Sequence, residues 1–124
     1  MWSYRPDRSD EVYAAGIGGP AKVPGRPTVY TAAGAIDPAA GLVVLQGTGT
    51  AMTLVAPTDA GQWLCIISDA ATAFVVTPTG GINNGVIGGV KTAATFAAFK
   101  GASIELRGIN GVWAAQNILN VTVA

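Results

Sequence analysis

The chain has 124 residues, 50% of them hydrophobic and only 11% charged, with seven basic and seven acidic side chains that cancel and no histidine. Its length allows one domain with a modest core, and a charge content well below the roughly 25% of ordinary soluble domains leads us to expect that part of the surface meets other protein. The even charge balance, without a basic stripe, excludes a nucleic-acid footprint, and the missing histidine removes the commonest general base and metal ligand together with every Ser-His or Cys-His pair.

Residues 1–28 read as an extended N-terminal arm. They hold seven of the charged residues (Arg5, Asp7, Arg8, Asp10, Glu11, Lys22 and Arg26), four of the seven prolines and the cluster Gly16, Gly18 and Gly19, punctuation that neither a helical nor a strand period survives. Trp2, Tyr4 and Tyr13 have no core of their own to enter, and beside Arg5 and Arg8 they resemble the anchors enriched at protein interfaces. The arm is therefore expected to dock on a partner, with a solvated tail as the alternative. Arg5 and Arg8 are followed by Asp10 and Glu11 rather than by an apolar stretch, so no secretory leader is expected and synthesis in a cytoplasm is. Asp7, Asp10 and Glu11 lack the spacing of a calcium loop and are expected to be solvated.

Residues 29–124 read as a β-rich body. Thr28–Ala35 offers one strand, Asp37-Pro38 a turn, and from Gly41 onward short apolar runs alternate with Gly, Pro, Asn and Asp about every ten residues, the rhythm of all-β sandwiches and barrels. Strands are expected at Leu42–Gln46, Ala51–Ala56, Gln62–Ser68, Ala73–Thr77, Gly85–Val90, Thr92–Phe99, Ala102–Arg107, Val112–Asn117 and Asn120–Val123. In Ala102–Arg107, Ile104 and Leu106 share one face and Ser103, Glu105 and Arg107 the other, the period of a half-buried strand. Leu42–Leu45 and Leu64–Ile67 are apolar on both faces, which requires cover on both sides, and in so small a protein the second cover is expected from another subunit. Thr92–Lys100 carries alanines with helical propensity but reads as strand, with Phe96 and Phe99 as core anchors. The expected fold is thus a compact antiparallel β-sandwich or barrel-like body, its core or subunit interface drawn from Leu42, Val44, Leu54, Trp63, Leu64, Ile66, Phe96, Ile104, Leu106 and Trp113.

No constellation carries chemistry. Asp37, Asp59 and Asp69 fall at turns, where Asp bonds to backbone amides, which leaves little for a carboxylate pair with Glu105. Gly16–Gly19 and Gly80-Gly81 lack the strand-before, helix-after setting of a phosphate loop. Cys65, the single cysteine, lies in an apolar run and reads as a small buried core residue. No apolar run approaches the roughly 20 residues of a membrane-spanning helix. Trp63 and Trp113 are read as core or sheet-packing residues, with a sugar-stacking platform as the sharper alternative. No catalytic residue, metal or cofactor is expected, and the chain is read as non-enzymatic.

The body, about residues 34–118, resembles a module of tailed-phage virion proteins: capsid decoration (cement) proteins, head fibres and segments of tail fibres. The resemblance rests on Gly41-Leu42-Val43-Val44-Leu45, on Met52-Thr53-Leu54 closing at Ala56-Pro57, and on Asp59-Ala60-Gly61-Gln62-Trp63-Leu64-Cys65-Ile66. It continues through Val75-Val76-Thr77-Pro78 and Ile82-Asn83-Asn84-Gly85 to the hairpin Lys100–Leu106 that turns at Asn110-Gly111 toward Trp113. It implies a homotrimer on the capsid exterior, made in the host cytoplasm, with the major capsid protein or another virion protein as partner. A tail-fibre or spike domain that binds host-surface glycan is the alternative; neither nucleic acid nor membrane is an expected partner.

Overall fold

In the computed structural model, residues 26–85 and 89–124 are described. They form eleven strands and no helix: β1 (Thr28–Tyr30), β2 (Gly34–Ile36), β3 (Leu42–Leu45), β4 (Ala51–Leu54), β5 (Trp63–Ser68), β6 (Val75–Pro78), β7 (Ile82–Asn83), β8 (Ala94–Phe96), β9 (Ser103–Ile109), β10 (Val112–Leu119) and β11 (Val121–Val123). Two sheets pack as a sandwich, a front sheet ordered β1-β3-β5-β9-β10-β7 and a back sheet ordered β11-β8-β6-β4-β2.

The all-β reading holds, but strand direction departs from the antiparallel expectation: among the described residues five of the nine strand pairings are parallel. From β1 to β6 the chain visits the sheets alternately, so strands two apart in sequence lie side by side. Thr28 lies beside Val43 and Val43 beside Ile66 in the front sheet, while Gly34 lies beside Met52 and Met52 beside Val76 in the back sheet. The corners of this coil stack as well. Gly47 (φ 82°) brings its backbone so close to Thr31 that a Cβ there would sit 2.4 Å from the Thr31 carbonyl oxygen, and the Thr72 hydroxyl, one coil further on, donates to the Gly47 carbonyl at 2.8 Å. Only glycine allows so close an approach in that conformation. The coil ends where β9 and β10 form an antiparallel hairpin beside β5. Asn110 and Gly111 both have positive φ (53° and 76°), as the two-residue turn read from the sequence demands.

Period-two alternation then fills the space between the sheets. Val43 and Leu45, Leu64 and Ile66, Ile104 and Leu106, and Trp113 point inward from the front sheet; Ile36, Met52, Leu54, Val76 and Phe96 meet them from the back, with Phe74 beside them. The segment between β4 and β5 closes one end. Pro57 is buried under Gly108, where a Cβ would lie 2.6 Å from the proline ring, Trp113 Nε1 donates to the Val55 carbonyl at 2.8 Å, and Gly61 N and Gly108 N bond to the Gly108 and Gln62 carbonyls.

Several expectations are corrected. Thr28–Ala35 is not one strand but two, β1 and β2, on opposite sheets, because the chain turns a corner at Thr31–Ala33. Gly85, Gly89 and Val90 are not in a strand, residues 86–88 lie outside the described residues, and the strand of this region is the short β7. Of the run Leu42–Leu45, Val43 and Leu45 are the inward pair, and Leu42 and Val44, expected at the core or a subunit interface, lie half-buried on the outer face rather than in the core. Cys65 is likewise outward and half-buried. Phe99 is no anchor at 64% exposure, since it follows the end of β8 in a turn. Strand β1 also begins at Thr28, the last residue assigned to the arm.

Candidate assembly surface

The outer faces of the two sheets differ in chemistry. On the back sheet the outward positions are small or hydroxylic: Ala35, Thr53 and Thr77 form one row, and Ala51, Val75, Thr95 and Thr122 the next. Threonine keeps β propensity while offering water a hydroxyl, so this face is satisfied by solvent.

The front sheet presents an apolar outer face. Val29 of β1 lies beside Val44, Val44 beside Ile67, Ile67 opposite Ser103, and Ser103 opposite Leu119, one row across five strands. The next row runs Leu42, Cys65, Glu105, and beyond it Trp63 faces Arg107 and Arg107 faces Ala114. Leu42, Val44, Trp63, Cys65 and Ile67 are each half-buried because they shield one another, while Val29, Ile109 and Leu119 are exposed at 47%, 51% and 57%. Glu105 accepts a hydrogen bond from the Asn117 amide, and Arg107 Nη1 donates to the Gly61 carbonyl at 3.3 Å, so both charged groups are held in the plane of the face.

Of the residues expected at a core or interface, Leu54, Leu64, Ile66, Phe96, Ile104, Leu106 and Trp113 are core, and Leu42, Val44 and Trp63 belong to this outer face. Trp113, fully buried, has no face to offer a sugar ring. The arm residues Trp2, Tyr4, Arg5, Arg8 and Tyr13 lie outside the described residues. Ile67 is legible in the sequence only as part of a run apolar at every position, whereas Val29 and Leu119 join the patch only through strand register.

Burial, and secondarily the Glu105 carboxylate, push the Cys65 thiol above its ordinary pKa, opposite to what a nucleophilic thiolate needs. Among the described residues no three His, Cys, Asp or Glu side chains are grouped to hold a metal ion, and no helix is long and apolar enough to cross a membrane. Among the described residues, a shallow cleft between Thr77 and Thr92 has Lys91 as the one titratable side chain of its lining. No protein-family model matches the chain, and no curated protein is significantly similar to it.

Proposed function

We propose that this chain is a non-enzymatic structural protein of a phage virion, a homotrimer on the capsid exterior that decorates or stabilises the shell, with its N-terminal arm engaging the major capsid protein or another virion protein. The observation that carries this reading is the contrast between the faces of the body: a threonine-rich back suited to solvent and an apolar front that solvent does not satisfy. Contiguous exposed apolar patches on small soluble proteins mark interaction surfaces. The ordered resemblance of residues 34–118 to virion-surface modules supplies the class of assembly, and the aromatic and Arg residues of the arm supply anchors for a larger partner.

Glycan binding as part of a tail fibre or spike is the second reading. Trp63 favours it, because it is only half-buried and lies on an outer face. Electron cryomicroscopy of purified particles tests the main reading: density for the two-sheet body is expected outside the shell, in groups of three. Particles that contain no copy of the chain would overturn it, and copies confined to the tail tip would favour the glycan reading.

A further inference from the structure

We propose that residues 12–17 form one further turn of the parallel coil, adding a strand to the free edge of β1 in the front sheet and another to the free edge of β2 in the back sheet of the same chain. The inference does not depend on the virion reading, and either can fail without the other.

An internal repeat points to this segment. Val12-Tyr13-Ala14-Ala15-Gly16-Ile17 reproduces, in order, Val29-Tyr30, Ala32-Ala33-Gly34 and Ile36 of the β1–β2 turn, with only Thr31 and Ala35 left out. Similar units in succession build stacked coils. The spacing agrees: Val12 precedes Val29 by 17 residues, between the 15 from Val29 to its lateral neighbour Val44 and the 18 from Ala35 to its neighbour Thr53. Proline keeps the same rhythm. Where the chain leaves the back sheet, Pro38 follows Ile36 by two residues and Pro57 follows Leu54 by three; Pro20 follows Ile17 by three, and residues 12–17 contain no proline.

The described coil is open at the matching end. Among the described residues, β1 has only β3 beside it in the front sheet and β2 only β4 in the back sheet, so both first strands present an edge. Tyr30 accepts a backbone hydrogen bond from Gln46 N at 2.8 Å. Successive residues of a strand aim their backbone groups to opposite sides, so Val29 turns its N–H and C=O away from β3. Such an edge is a template for another strand. Side chains match as well: Tyr30 packs on the core yet is only half-buried, and its hydroxyl accepts the Asp37 amide at 2.8 Å. In the added turn Tyr13 lies over Tyr30 and Ile17 over Ile36, with Val12 outward beside Val29. Gly18, one residue after Ile17, supplies an amide where Asp37 supplies one after Ile36.

The chain is long enough. From Tyr13 to Gly16 is three residue steps, about 10 Å when extended, which is the separation of two packed sheets. Residues 18–27 then provide ten residues for the return to β1, against the eight, residues 55–62, that lead from β4 to β5. Residues 1–11, with Trp2, Tyr4, Arg5 and Arg8, stay ahead of the coil for a partner, while Tyr13 is taken into the body.

Hydrogen exchange in the full-length protein, read by NMR, tests the pairing. The Val29 amide should exchange about tenfold or more slowly in the wild type than in Tyr13→Pro, which lacks the N–H that faces the Val29 carbonyl. Equal rates in the two proteins would overturn the proposal. A cysteine pair then identifies the chain of origin, even where the proline variant fails to fold. In a Cys65→Ser background, Val12→Cys with Val29→Cys places lateral neighbours about 4.8 Å apart, within disulfide reach. Mild oxidation should give an intrachain disulfide, with the single-chain mass on a denaturing gel and no free thiol. Val12→Cys with Thr53→Cys, on opposite sheets, should stay reduced. Thiols that remain free in the first pair, a disulfide in the second, or a link between two chains would each overturn the assignment, the last by giving the strand to a neighbouring copy.

Discussion

Replacing Trp113 by alanine tests whether the core, rather than any sugar-binding role, fixes this side chain. Trp113 is fully buried on β10, and its indole N–H is spent on the Val55 carbonyl at 2.8 Å, pinning the segment that closes one end of the sandwich. Truncating a buried tryptophan costs about 3–5 kcal/mol, and leaving a part-buried carbonyl without its donor adds up to about 1–3 kcal/mol. Domains of this size are stable by only about 5–15 kcal/mol, so the variant loses a large share of its stability. At about 4–8 °C per kcal/mol for a body of roughly 100 residues, Tm should fall by at least about 12 °C, and by several tens of degrees if the orphaned carbonyl contributes in full. Trp113→Phe keeps most of the apolar volume and loses the donor, and should fall by about 4–24 °C on the same scale. Thermal melts followed by circular dichroism read both values. If Trp113→Ala melts within a few degrees of wild type, the packing argument is wrong; if Trp113→Phe melts with the alanine variant, the hydrogen bond to Val55 outweighs the ring.

Gly108→Ala should destabilise by about 1–3 kcal/mol or more, because its Cβ would lie 2.6 Å from Pro57 Cβ and 3.0 Å from the Asp59 carbonyl oxygen; urea titration measures the loss. Folding raises the Cys65 pKa by burial first and the Glu105 charge second, so the native state binds this proton more tightly than the unfolded chain. Stability from Cys65 should be fully present below the ordinary thiol pKa of about 9 and be lost as pH rises through the higher native value. Denaturation midpoints of wild type should therefore drop more steeply above that pH than those of Cys65→Ser, and parallel curves would refute the burial argument. Cys65→Ser itself should melt within a few degrees of wild type at neutral pH, as its outward, half-buried position can keep a hydroxyl hydrated. Deleting residues 1–25 removes none of the eleven strands, so the truncated chain should keep its β spectrum and melt cooperatively while losing occupancy on particles; unfolding of the truncated chain would show that the arm is part of the body.

Local pattern in the sequence determined the β class, most strand positions and the inward set on β9. Alternation at Ile104 and Leu106, the Asn110-Gly111 turn and the both-faced apolar runs at Leu42–Leu45 and Leu64–Ile67 each state a requirement that neighbouring residues can express. Strand direction and face could not be read in this way. Period two tells which residues share a side, but which side is inward depends on what lies beneath, so Val43 and Leu45 took the core and Leu42 and Val44 the outer face. A short corner such as Thr31–Ala33 sends the chain to the opposite sheet as readily as it would close a hairpin. Only the stacking of successive corners, with Gly47 pressed against Thr31, fixes the parallel coil that brings Val29, Val44 and Ile67 into one row. That row joins residues distant along the chain, and lateral neighbourhood of this kind arises from tertiary packing rather than from any local sequence signal.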